Sequence, residues 1–304
     1  MLMKAETVAR LTELEVKGRS PWADARARFA RNRGAMVGLI VLSLICLFAA
    51  FGSHLTEFTY DYVDFGLMGE AAEKGAPSWA TGHYFGTDDG GRDFFARVVQ
   101  ASQISLAAGL IGSAVAVIIG TLYGAISGFV GGRTDQVMMR IVDILLSVPF
   151  MFVIILLLVM FGRSIWMLFL GIGMFSWLDM SRIVRGQTLS LKRREFIEAA
   201  HATGVSSGRI ILRHIVPNLM GVVVVYASLL VPIMIMTESF ISFLGLGVQA
   251  PLTSWGALLS EGASQMRYGT LWLLLFPLGF FVTTMFCMSF IGDGLRDALD
   301  PKDR

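Results

Sequence analysis

The chain has 304 residues, of which 55% are hydrophobic and 16% charged, with a mean hydropathy of +0.66 and a formal net charge of +2. A soluble globular domain is about one quarter charged, so this balance excludes one; the net charge of +2 says little by itself, and no nucleic-acid partner is expected. Several apolar runs reach the roughly 20 residues that carry a helix across a bilayer, and lipid-exposed spans satisfy their backbone groups only as helices, so the expected class is an all-α polytopic membrane protein with six transmembrane helices.

Residues 1–34 read as a cytoplasmic tail, polar and rich in arginine toward its end (Arg26, Arg28, Arg31, Arg33). No cleavable signal pattern is expected there, because the first apolar run begins only near Ala35. The first span is placed at 35–52 and an acidic outer (periplasmic) segment at 53–100. In that segment Asp88-Asp89-Gly90-Gly91 predicts a tight turn, and Asp93 sits where a negative charge favours the start of the next helix. The remaining five spans occupy a core over 101–292, at about 101–129, 137–161, 165–183, 219–244 and 271–291, before a polar tail at 293–304. Cys46 and Cys287 both lie in apolar runs and read as buried small hydrophobes. With both termini inside, 20 of the 25 Lys and Arg residues fall on the cytoplasmic side and five outside, the asymmetry that sets membrane orientation.

Gly120, Gly124 and Gly128 recur every four residues on one face of the second span, which predicts close approach of a neighbouring helix. Pro149, Pro232 and Pro277 predict kinks in spans three, five and six.

The segment from Leu191 to Asn218 is the most polar and basic part of the second half. Phe196, Ile197 and Ala200 place an apolar stripe on a short helix, Gly204 fits its C-terminal cap, and Ser206 or Ser207 can cap a second helix. Pro217 is expected to mark the joint with the next span, since its ring interrupts the hydrogen-bond ladder. Such a segment serves either as a docking surface or as a loop lying on lipid headgroups.

No phosphate loop, HExxH or GxSxG pattern is present, and the four histidines read as surface or packing residues. Three acids fall at membrane depth, where charge is costly. Asp143 and Asp179 each have an arginine three residues away (Arg140, Arg182) and read as local ion pairs. Glu238 has no basic residue within a turn and is a candidate either for the translocation path or for hydrogen bonding between helices.

Glu198-Ala199-Ala200, Gly204 and Ile215-Val216-Pro217 stand at the spacing of the EAA loop in permease subunits of bacterial ABC importers, with His214 and Val216 as mild departures. FGTDDGGRDFFARV, GGRTDQVMMRIVDILLSVPFMF, ESFISFLGLGVQAPLTSWGALLSEG, GDGLRDALDPK and the early GRSPWADARARF extend the likeness over almost the whole chain. Together they resemble the C-type permease subunits of oligopeptide importers. The resemblance implies a type I ABC importer permease fold in a bacterial inner membrane, with the EAA coupling loop at about 186–217. It implies that Arg194, Phe196, Glu198, Ala199, Ala200, Gly204 and Pro217 serve coupling and ATPase docking. Implied partners are a homologous B-type permease, two ABC ATPase subunits, an outer peptide-binding protein, the peptide and membrane lipid. No cofactor is expected on this chain, ATP and Mg belonging to the ATPases, and the chain is not expected to be an enzyme. A dipeptide or nickel-chelate importer is the neighbouring alternative; a stand-alone secondary carrier is the alternative of another class.

Overall fold

The computed structural model describes residues 21–299. The tail positions before and after these, with Lys4, Arg10, Lys17, Arg19, Lys302 and Arg304, lie outside the described residues.

The described chain is helical apart from residues 55–93 and short connections. In order come α1 (Pro21–Arg31), α2 (Arg33–Phe51), α3 (Phe94–Val130), α4 (Gly132–Ser147), α5 (Phe150–Phe161) and α6 (Ile165–Leu191). There follow α7 (Glu195–Ala202), α8 (Ser207–Ile210), a π-helical turn (Ile211–Ile215), α9 (Val216–Phe243), α10 (Trp255–Gln265) and α11 (Trp272–Leu299). Among the described residues the only extended pairings are the isolated bridges Val63–Arg92 and Thr87–Asp93.

Five helical stretches are long and apolar enough to span a membrane, and α4 with α5 makes a sixth if that broken pair counts as one. The pair bends by 77° between Ser147 and Phe150. Pro149 was expected to kink a continuous helix; instead the helix ends there, because the residue before a proline is driven to extended backbone, and Val148 has ψ 127°. The second span starts at Phe94 rather than near 101, capped by Asp93, whose Oδ1 accepts the Ala96 amide at 2.7 Å. The fourth runs on to Leu191, well past 183, since its last two turns carry polar residues that leave the apolar core. α1 was not foreseen: it is a short basic helix that packs on α11, with Phe29 lying against Gly294.

The core is built around α3. Its expected glycine stripe meets α6: an added Cβ at Gly120, Gly124 or Gly128 would fall 2.6 Å from Met180 Cβ, 2.3 Å from the Ser181 carbonyl oxygen or 2.8 Å from Thr188 Cβ. Dispersion contacts at this separation hold the pair where lipid offers no hydrophobic drive. Another face of α3 takes α9, with Gly109 under Ile235 and Gly112 under Met234.

The outer segment folds over the top of α3 as a turn-rich cap. Gly91 turns the chain at φ 72°, and its amide donates to the Asp88 carbonyl oxygen at 3.0 Å. His83 is buried there, stacked on Phe58 at 4.3 Å, with Nδ1 2.8 Å from Asp93 Oδ2. Burial pushes the Asp93 carboxyl up, while His83 and the Ala96 amide pull the other way. Arg97 pairs with Asp88 and, at 2.7 Å, with Glu261 of α10.

Candidate functional site

The segment 191–218 folds as a short helix hung from two long ones. After α6 ends at Leu191 the chain turns, and α7 begins at Glu195 with Arg194 exposed at its N-cap. Glu195 and Glu198 lie in its first turn, where the helix dipole favours acids. At its other end Gly204 adopts φ 79°. The Gly204 amide donates to the His201 carbonyl at 3.0 Å and the Val205 amide to that of Ala200 at 3.1 Å. That double bond pattern is the Schellman closure, which glycine enters without a Cβ penalty. Ser206 does occupy the N-cap of α8, but its side chain makes no capping bond.

The expected apolar stripe divides. Ile197 and Ala200 turn inward, 1% and 8% exposed, and join a cluster with Ala125 of α3, Met180 and Val184 of α6, and Ile210, Ile211 and Ile215. Burying an isoleucine is worth about 1.5–3 kcal/mol, so this contact seats the helix. Phe196 instead points out, 43% exposed, and Glu198 and Ala199 are exposed with it. Adjacent residues on a helix are turned about 100° apart, and here Ile197 faces in while Phe196 faces out. Phe196 therefore does not belong to the seat, and α7 presents Phe196, Glu198 and Ala199 outward.

Further contacts fix the seat. His201 stacks on Phe129 with ring centroids 5.5 Å apart and planes 2° apart. Lys192 Nζ donates to the Phe129 carbonyl at 3.4 Å. Asp135 of α4 accepts two bonds from Arg185, at 2.5 and 2.6 Å, and one from Ser127, at 2.5 Å. This tie between α3, α4 and α6 was not foreseen. The i,i+3 reading of Asp143 with Arg140 and Asp179 with Arg182 fails: Arg182 reaches across to Asp143 on α4. Asp143 lies across the interhelical gap from Arg182, a contact that only the packing of α4 on α6 reveals.

Pro217 does not end a helix. It is the second residue of α9, and the path from Ser207 to Phe243 forms one span. The π-helical turn just before it absorbs the proline: the Val216 amide reaches back five residues to the Ile211 carbonyl, so the ladder is already rearranged where the ring lacks its donor. Pro217 is exposed on this stem.

Glu238 lies 21 residues above Pro217 on the same helix, roughly 32 Å at the α-helical rise. It is fully buried. Ser105, Ser239 and Ser242 donate to its carboxylate at 3.1, 3.3 and 2.7 Å. Ser105 Oγ in turn accepts the Trp255 amide at 3.1 Å, and Ser102 Oγ the Trp255 indole N–H at 3.1 Å. Of the two sequence readings, this geometry is that of hydrogen bonding between helices.

A family model described as binding-protein-dependent transport system inner membrane component matches residues 120–304. A second, the N-terminal TM domain of oligopeptide transport permease C, matches residues 20–71. The chain is 60% identical over 301 residues to the oligopeptide transport system permease protein OppC of Escherichia coli (strain K12), covering 99% of this chain and 98% of that one. It is 45% identical to the protein of the same description in Bacillus subtilis, over 96% and 93% of the two chains. It is 39% identical to the dipeptide transport system permease protein DppC of Bacillus subtilis, over 92% and 86%. With matches of this extent and an all-helical fold of several spans, the chain belongs to the family of binding-protein-dependent transport system inner membrane components.

Proposed function

We propose that this chain is the C-type permease subunit of an ATP-driven importer of oligopeptides, and that α7 is the helix through which it receives work from the ATPases. Supporting the substrate class, the relatives described as oligopeptide permeases reach 61% identity, those described as dipeptide permeases 39%. Supporting the coupling role is one observation above the rest: α7 is seated on the ends of α3 and α6 by Ile197 and Ala200 while Phe196, Glu198 and Ala199 stand free. A rigidly seated helix with an unfilled outer side transmits force from a partner that fills it.

In this reading a homologous B-type permease supplies the other half of the path, and two ABC ATPase subunits bind beneath. A peptide-binding protein docks on the outer side. The tails and α7 face the cytoplasm, ATP and Mg are held by the ATPases, and this chain performs no chemistry itself. Movement of α7 passes directly into α6 on one side and into the long span Ser207–Phe243 on the other.

The test is co-expression with the other subunits, extraction in mild detergent and purification through a tag on this chain. Recovery of a second permease and two ATPases, with ATP hydrolysis stimulated by peptide-loaded binding protein, is the expected result. A chain that purifies alone and transports on an ion gradient in liposomes would instead be a secondary carrier.

A further inference from the structure

Asp179 is the fifteenth of the 27 residues of α6, roughly 21 Å from the helix start and one turn before the apolar run of this span ends at 183. It is exposed and makes no ion pair or hydrogen bond among the described residues. One turn closer to α7 is Arg182, also exposed and paired with Asp143 of α4. One turn further along that pair's own helix, toward the start of α4, is Arg140, exposed and likewise without an ion pair among the described residues. Beside them a cleft of about 640 Å³ opens along α4, lined by the charged Asp135, Arg140 and Asp143, by Arg185 of α6, and by apolar residues of α4 such as Val137 and Ile141.

Acyl chains cannot solvate these groups, and charges within spans are found facing a bundle interior or water. α5 offers the contrast: its exposed side chains, Phe152, Leu156 and Val159, are all apolar. The charged face of α4 and α6 is therefore turned toward water in the assembled transporter. On that face Asp135 is neutralised by Arg185 and Asp143 by Arg182, and among the described residues Asp179 is left without a cationic partner and Arg133 and Arg140 without an anionic one. A peptide carries the complementary set, ammonium groups and carboxylates.

We infer that the α4–α6 face lines the aqueous peptide path, with Asp179 meeting the cationic groups of the passing peptide and Arg140 its carboxylates. The inference rests on the importer reading and names the surface on which that reading acts. The face is continuous with α7 through α6, so the ATPase cycle moves it.

The experiment uses the complete complex in proteoliposomes, with Cys46 and Cys287 of this chain replaced by alanine. Asp179→Cys and Gly186→Cys are probed with a charged, membrane-impermeant thiol reagent, with Phe152→Cys as the apolar-face control. Gly186 is exposed on α6 with open space around it. Uptake of a lysine-rich and a glutamate-rich tripeptide is then measured for Asp179→Asn and Arg140→Gln. Expected are labelling at 179 and not at 152, and opposite selectivity. Asp179→Asn slows the lysine-rich peptide about two- to fivefold and spares the other, and Arg140→Gln does the reverse, the scale of one solvent-exposed charge contact. Labelling at 186 without labelling at 179 would overturn the inference, because the face would then be closed by protein. Equal slowing of both peptides by either variant would also overturn it, as that marks a structural role. Absence of uptake by the unsubstituted complex would overturn the importer reading and this inference with it.

Discussion

Replacing Gly124 with alanine adds one methyl group at the tightest point of the α3–α6 contact. Its Cβ would stand 2.3 Å from the Ser181 carbonyl oxygen and 2.9 Å from both the Arg185 amide nitrogen and Val184 Cβ. Ordinary contact begins near 3.4 Å, so the methyl is about 1.1 Å too close to a backbone atom that has no rotamer with which to yield. The helices must part or slide, an overpacking cost of about 1–3 kcal/mol. Gly186→Ala is the matched control in the same helix pair. Nothing lies within 4 Å of a Cβ there, and losing a mid-helix glycine stabilises by about 0.5–1 kcal/mol. Gly124→Ala gains the same propensity term, so the two variants are expected to differ by the overpacking cost alone, about 1–3 kcal/mol, with Gly124→Ala the less stable. Heating the detergent-solubilised protein and following loss of the monodisperse peak on size exclusion measures the order. Gly124→Ala melting level with Gly186→Ala would show that the two helices do not approach as described.

Ile197→Asp should unseat α7 and abolish peptide uptake while membrane insertion persists, whereas Phe196→Ala should leave thermal stability unchanged and weaken ATPase recovery in a pull-down. Gly204→Val forces a β-branched residue to φ 79°, at about 1–2 kcal/mol, and should lower uptake more than Gly208→Ala, which meets open space. Glu238→Leu strands the hydroxyls that donate to the carboxylate and should destabilise by about 1–3 kcal/mol, while Glu238→Gln, whose amide oxygen can still accept from Ser105 and Ser239 and whose NH2 can donate to the Ser242 hydroxyl, should melt close to the parent and bind the ATPases normally. Asp93→Ala removes the cap of α3 and the partner of buried His83, and should cost at least the ~0.5–2 kcal/mol of a lost N-cap in the same melting assay.

Local chemistry was legible in the chain. Gly204 as a left-handed cap, Asp93 at a helix start and the Gly120/124/128 stripe each need only the few residues around them, and the structure has all three. The number of spans followed from apolar runs, with the broken α4–α5 pair counted as one, because the bilayer sets their scale; the ends of the second and fourth did not. What failed depended on partners far along the chain. Arg140 lies one turn from Asp143, yet the pair forms with Arg182, 39 residues on. The fate of Pro217 turned on a π-helical turn that no propensity scale marks, and Phe196 was grouped with Ile197 and Ala200 in one stripe because the pattern cannot tell which of two adjacent apolar residues the neighbouring helices will accept.

The π-helical turn Ile211–Ile215 also acts as a phase setter. Each residue in a helix advances its azimuth by about 100°, so one residue more or fewer below Pro217 would rotate everything above it through that angle. Glu238 would swing away from Ser105, and Ile235 and Met234 away from the glycines of α3 that receive them. Five residues at the foot of the span thereby dictate which way its upper half looks, and substitutions in that turn should be tolerated far better than insertions or deletions.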